Sequence, residues 1–336
     1  MPDEHFEHGH AAHCESGVMS LMMRHHGLPL SEAMVFGLSG ALMFAYLPFI
    51  KLSGMPLIAY RSMPKSIIKG LQKNLGVKIK MQTFSKPEKG TKALDELLEK
   101  GEIVGAQTSV FWLPYFPDAM RFHFNAHNLI VYGKEGDEYL ISDPVFEAPV
   151  RCTAKELEKA RFVKGILAPK GLLYYPVEVP GEIDYGKVIP KVVKKTAKVM
   201  LKTPVPIAGV RGITGLAKKI GKLEKEDRRY AKLFLGHIVR MQEEIGTGGA
   251  GFRFIYASFL QEAGTLIDSP LLLEASEMMT AVGDQWREFA LMAATAIRSK
   301  KSQTIDFEAL KEKLLSVADA EAAVYVKLLE GDMASR

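Results

Sequence analysis

The chain has 336 residues, 47% of them apolar and 25% charged, with a net charge of +5 and two cysteines, Cys14 and Cys152. That length suits about two domains with cores of their own, and the composition excludes both a disordered chain and a disulfide-built secreted scaffold. The longest apolar stretch, Gly37 to Ile50, is too short and too glycine-rich to span a bilayer, and no basic-then-apolar leader opens the chain, so a cytoplasmic protein is expected.

In chain order, the apolar run Val18 to Met23, stopped by Gly27 and Pro29, predicts a short helix with Cys14 in its first turn. Ser31 can cap a second short helix, with Glu32 favourably placed near its N-terminus, before Gly37-Leu38-Ser39-Gly40 breaks it. Leu42 to Ile50 is apolar and aromatic enough to enter the core. Pro64 suits the first turn of a helix ending at Leu75, and Val77, Ile79 and Met81 alternate with polar residues as in a half-buried strand. Thr91 opens another helix that Gly101 ends. Strands follow at Ile103 to Val110, Asn128 to Tyr132 and Tyr139 to Ser142, with an aromatic loop from Phe111 to Phe122 between the first two. Thr153-Ala154-Lys155-Glu156 is a capping box that starts one more helix, and Leu172 to Val177 reads as a closing strand. Helices ahead of a mainly antiparallel sheet make the class α+β.

Beyond Pro180 the pattern changes. From Lys187 to Leu223 there are nine lysines and Arg211 with no acidic residue, so this segment carries +10 and the remainder −5. Its glycines and prolines suggest a basic linker with one or two short helices over 181–223, joining an α+β domain over 1–180 to an all-helical domain over 224–336. A run of lysines is often a solvated helix face. The sharper reading makes Lys191, Lys194, Lys195, Lys198 and Lys202 a docking surface for an acidic carrier protein, a phosphorylated cofactor or an anionic membrane. Nucleic acid is not expected, because the segment lacks aromatic residues for stacking.

The chemistry centres on Cys14. A helix N-terminus favours negative charge, so a cysteine there has its thiolate, the nucleophilic form, stabilised. The plain alternative is a small buried hydrophobe. A nucleophile needs a base, and His127 begins the strand Asn128 to Gly133, which Lys134 to Glu138 turns into a hairpin. Folding that hairpin about Gly136 pairs position 127 with about 145, which brings Asp143 within hydrogen-bonding reach of the imidazole. Such a carboxylate fixes the tautomer and supports the imidazolium.

Cysteine, histidine and aspartate in this order, on an early helix and a later hairpin, resemble the papain-like fold in its compact bacterial forms. More specifically, His13-Cys14-Glu15-Ser16, Leu30-Ser31-Glu32-Ala33-Met34-Val35-Phe36-Gly37-Leu38 and Phe122-His123-Phe124-Asn125-Ala126-His127 are similar to the N-terminal domain of the butirosin biosynthesis protein H family. Gly246-Thr247-Gly248-Gly249, Phe252-Arg253, Phe259-Leu260 and Trp286-Arg287 resemble the helical domain that often follows it. The resemblance implies an acyltransferase with Cys14 as nucleophile, His127 as base and then acid, and Asp143 as orienter. It also implies an acyl carrier protein or acyl-CoA as donor and a small-molecule amine as acceptor.

One departure is that no glutamine precedes Cys14 to donate to an oxyanion; the Cys14 amide with His13 or His8 is the substitute considered. His13, Trp112, Tyr115 and Arg253 are the expected substrate contacts, with the aromatic loop lining an acyl pocket and Arg253 meeting a carboxylate or phosphate. The N-terminal histidines are read as part of a polar terminus rather than as metal ligands, Gly246 to Gly251 as a bend between helices, and Cys152 as structural; no cofactor is called for. A cysteine peptidase or amidase uses the same three residues, and a non-catalytic binding protein would use only the basic segment.

Overall fold

The computed structural model of the protein describes residues 5–52, 54–300 and 304–333. In chain order the elements are α1 (Cys14–His25), α2 (Glu32–Ser39), β1 (Leu42–Leu52), β2 (Met55–Arg61), α3 (Ser66–Leu75), β3 (Lys78–Gln82), α4 (Pro87–Leu98), β4 (Val104–Thr108), β5 (His127–Glu135), β6 (Glu138–Ser142), β7 (Val150–Thr153), α5 (Ala154–Phe162) and β8 (Leu173–Glu178). Six further helices follow: α6 (Tyr185–Lys202), α7 (Gly209–Gly221), α8 (Arg228–Val239), α9 (Arg253–Leu266), α10 (Pro270–Arg298) and α11 (Phe307–Glu330). Among the described residues no helix is long and apolar enough to cross a membrane.

The chain divides into two compact units. The first comprises the residues up to Val35 together with Ile67–Ile183, and the second comprises Phe36–Ser66 together with the chain from Asp184 onward. This corrects the expected boundaries. Residues 36–66 belong with the C-terminal half, because β1 and β2 form a hairpin whose Tyr46 amide donates to the Ile207 carbonyl at 2.8 Å and whose Ala45 bridges Ala208. The expected linker with one or two short helices is instead two full helices of the second unit, α6 with 18 residues and α7 with 13. Glycine and proline mislead here because each is accommodated locally. Pro190 sits in the early part of α6, and Gly209 (φ +60°) opens α7 where a Cβ would lie 2.1 Å from the Met200 carbonyl oxygen.

The first unit is α+β, as expected. Its sheet runs β3-β8-β4-β5-β6-β7, with every neighbouring pair antiparallel. Val104, Ala106, Leu129, Val131, Ile141 and Leu173 of the sheet pack with Leu94, Leu97 and Leu98 of α4 and with Leu157 and Ala160 of α5. Thr153 and Glu156 form the expected capping box, the Thr153 hydroxyl accepting from the Glu156 amide. Helix α4 starts at Pro87 rather than at Thr91, since a proline serves at the first helical positions where no amide partner is needed. Cys14 and Cys152 are both free thiols, and burial pushes Cys152 up to about 12.

The second unit is helical apart from the β1–β2 hairpin. Along α11 the buried positions Leu310, Leu314, Val317, Ala318, Glu321, Val324, Tyr325 and Leu328 form one stripe, and only Glu321 in it is charged. That carboxylate accepts from Arg253 Nη2 at 2.6 Å, Trp286 Nε1 at 3.0 Å and the Tyr325 hydroxyl at 2.8 Å. Gly246 to Gly251 forms the expected bend between helices, ahead of α9.

Candidate active site

Each residue of His13-Cys14-Glu15-Ser16-Gly17 has its own task at the start of α1. His13 is the N-cap, its side chain accepting from the Ser16 amide. Glu15 accepts from the amides of Ile67 and Ile68 at 3.0 and 3.4 Å, which serves the first turn of α3. Ser16 donates to Glu32, and the same carboxylate accepts from the amides of Ala12 and His13 at 2.9 and 2.8 Å. At Gly17 a Cβ would lie 2.6 Å from Ala11 and 2.8 Å from Pro144, so glycine lets the approach segment and the Asp143-Pro144 turn sit against the helix. Cys14 is thereby held in the first turn of α1, 7% exposed.

The histidine and the aspartate meet as the hairpin register requires. The β5–β6 ladder runs from Glu135↔Glu138 to Ile130↔Ser142, with a bulge after Val131. Continued, it sets position 127 beside 145. His127 Nε2 lies 2.6 Å from Asp143 Oδ2, and the ring also hydrogen-bonds the Cys14 thiol. With Nε2 engaged by the carboxylate, Nδ1 is the nitrogen left for sulfur. Asp143, fully buried, also accepts from the Tyr115 hydroxyl at 2.9 Å and from the Val145 amide at 3.3 Å.

Burial opposes charge on His127, yet the Asp143 carboxylate and its hydrogen bond, with Cys14 adding to them, push the imidazole up to about 10 from 6.5. A raised folded-state value stabilises the fold fully below about pH 6.5, and that contribution is lost as pH rises toward 10. Asp143→Asn is therefore expected to flatten the dependence of stability on pH across this window. Urea melts at several pH values check this, and an unchanged slope would contradict it.

Asn128 escaped the sequence reading. Its Nδ2 lies 4.0 Å from Cys14 Sγ, and its Oδ1 accepts from the Tyr174 hydroxyl at 2.9 Å, which fixes which end of the amide faces the sulfur. His8, considered for the oxyanion, is instead engaged by the turn after β6: Nε2 donates to the Phe146 carbonyl at 3.1 Å, and Nδ1 lies 2.7 Å from Ser142 Oγ. The only hint of Asn128 in the sequence is an amide residue beside the candidate base.

The expected substrate contacts fare differently from the triad. His13 caps α1 rather than presenting itself to a substrate. Tyr115 donates to Asp143 and packs edge-on to Phe146, so its hydroxyl is committed to the aspartate beside His127. Trp112 is partly exposed, edge-on to Phe111 and beneath the Lys159 amine. Arg253 lies in the second unit, fully buried and ion-paired with Glu321, so no carboxylate or phosphate ligand reaches it. Of the five lysines, Lys191, Lys195, Lys198 and Lys202 are exposed on α6 and Lys194 is half-buried.

Residues 155–328, just over half of the chain, match the family model described as Domain of unknown function (DUF4872). Residues 13–144, which include Cys14, His127 and Asp143, match the one described as Butirosin biosynthesis protein H, N-terminal. The chain belongs to the DUF4872 family. Among solved structures, a crystal structure described as that of a C39-like peptidase from Bacillus anthracis is similar at 14% identity and a TM-score of 0.33, over 50% of this chain and 90% of that one. No curated protein matches the sequence. In this chain a helix-borne cysteine, a strand-borne histidine and an aspartate after the next strand therefore lie within the region that matches the butirosin biosynthesis protein H model, joined in one buried hydrogen-bonded run.

Proposed function

We propose that the protein is an acyltransferase that carries an acyl or aminoacyl group on Cys14, from a thioester donor to an amine acceptor. The observation that carries this reading is the buried hydrogen-bonded run from Cys14 through His127 to Asp143, with the cysteine at a helix N-terminus. The family resemblance points to the same class, with acyl carrier protein or acyl-CoA as donor and a small-molecule amine as acceptor.

In the first half-reaction the Cys14 thiolate attacks the thioester carbonyl. The bond to the donor sulfur breaks, and the departing thiolate takes the proton from the His127 imidazolium. In the second, the amine attacks the Cys14 thioester and gives its proton to His127, so the amide forms and the Cys14 thiolate is regenerated. The oxyanion of each step is met by the Cys14 backbone N–H, which has no partner inside the helix, and by Asn128 Nδ2.

Two measurements test this. Incubation with an acyl thioester and a small amine is expected to yield the amide with ping-pong kinetics; free acid released at the same rate with or without the amine would mark a hydrolase. Asn128→Ala is expected to lower kcat by about a hundredfold while leaving iodoacetamide labelling of Cys14 nearly unchanged. Wild-type kcat in that variant would remove Asn128 from the oxyanion site.

A further inference from the structure

The second unit presents an apolar projection set among lysines with no acidic partners. In the hairpin, Leu47 pairs with Leu57 and Lys51 with Pro56, so Pro48, Phe49 and Ile50 have no residue opposite them and bulge outward. The run Leu42 to Ile50 enters the core as expected through Leu42, Phe44 and Tyr46, but its end does not: Phe49 is 70% exposed and Ile50 43%. The bridge of Ala45 to Ala208 and the bond from Tyr46 to Ile207 are antiparallel. The Pro204-Val205-Pro206 corner leads directly into Ile207, the residue whose carbonyl accepts from Tyr46. All three corner residues are exposed, Val205 at 44%.

Lys51 follows Ile50 directly. Helix α6, which runs into the corner, ends in Lys198 and Lys202, which continue the exposed stripe from Lys191 and Lys195 at spacings of four, three and four residues along one helix face. Elsewhere in the basic segment Lys187 pairs with Asp184 and Lys219 with Glu226. Among the described residues, none of the lysines around the projection pairs with a carboxylate. Ile189, Val192, Val193, Ala197 and Met200 bury the opposite face of α6, so the stripe is held in place.

We infer that this face binds the surface of an anionic membrane, with Phe49, Ile50 and Val205 entering the interfacial layer and the lysines meeting lipid headgroups. The shape favours a bilayer over an acidic protein. Protein partners bury broad complementary patches, whereas here only a few apolar side chains project. An aromatic and two aliphatic tips ringed by lysines suit the headgroup boundary, where lysine stems lie along the apolar layer and their ammonium groups reach the phosphates. Such docking would leave the enzyme peripheral, without a spanning helix.

Co-sedimentation of the full chain with phosphatidylcholine vesicles, with and without one-third phosphatidylglycerol, tests the inference. Binding is expected to the anionic vesicles alone and to be largely lost at roughly 0.5 M salt. It is expected to fall at least about tenfold both in Phe49→Ser/Ile50→Ser and in Lys198→Glu/Lys202→Glu. These positions are exposed, and wild-type circular dichroism and melting in both variants would show that folding is intact. Absent binding to anionic vesicles, equal binding to neutral ones, or wild-type binding by both folded variants would overturn the inference. So would a wild-type chain that ignores vesicles but captures an acidic acyl carrier protein through the same lysines.

Discussion

Glu321→Ala is expected to destabilise the second unit by about 3–5 kcal/mol, the usual cost of breaking a buried ion pair by removing one partner. The carboxylate is fully buried and satisfies three groups at once: the Arg253 guanidinium, the Trp286 indole N–H and the Tyr325 hydroxyl. Arg253 cannot turn to solvent instead. Its Nη1 donates to the Gly251 carbonyl at 2.7 Å, and its guanidinium lies over the rings of Tyr60 and Trp286. Truncation therefore leaves a positive charge and two donors uncompensated in an apolar setting. A paired Arg253→Met/Glu321→Leu change is expected to recover much of the loss, since it removes both charges while keeping volume. Thermal and urea melts of the single and double variants check both statements; a single variant within about 1 kcal/mol of wild type would show that the network is not needed.

His127→Ala is expected to slow acyl transfer about a thousandfold, with a smaller effect on binding of the thioester. In the proposed reaction the imidazole has two tasks: to hold the proton that leaves the Cys14 thiol, and to deliver or take a proton at the leaving thiol and the incoming amine. Both fail without it, and no other ring among the described residues takes its place between Cys14 and Asp143, because His8 and His13 are engaged elsewhere. Iodoacetamide labelling of Cys14 at neutral pH is expected to slow as well. A variant that keeps transfer within tenfold of wild type would remove His127 as the acid–base group.

The meeting of Cys14, His127 and Asp143 was legible because each residue is placed by local grammar. The stop signals after α1 put Cys14 in a first turn, and the β5–β6 turn sets the register that brings Asp143 to His127. The second unit's boundary was not legible, since what claims residues 36–66 is a backbone bond from Tyr46 to a residue over a hundred positions away. Arg253 was misread for a related reason. A cation at a helix start looks solvent-facing, and its partner Glu321 lies 68 residues on. The available signal was Glu321 itself, a lone charge within the apolar stripe of α11. Glu32 was read as favouring its own helix dipole, whereas its carboxylate holds the amides of Ala12 and His13. Burial raises its pKa even so, against those two amide bonds, Ser16 and His10. Asn128 and Tyr115 required side-chain directions that hydrophobic periodicity does not give.

The central claim is that Cys14 carries the acyl group, and intact-mass analysis of the full chain after brief incubation with an acyl thioester tests it most directly. The expected result is one added acyl mass, mapped by peptide digestion to Cys14, absent from Cys14→Ala and discharged when an amine acceptor is added. An adduct that survives Cys14→Ala, or a wild-type chain that turns over thioester with no acyl group ever found on Cys14, would contradict it.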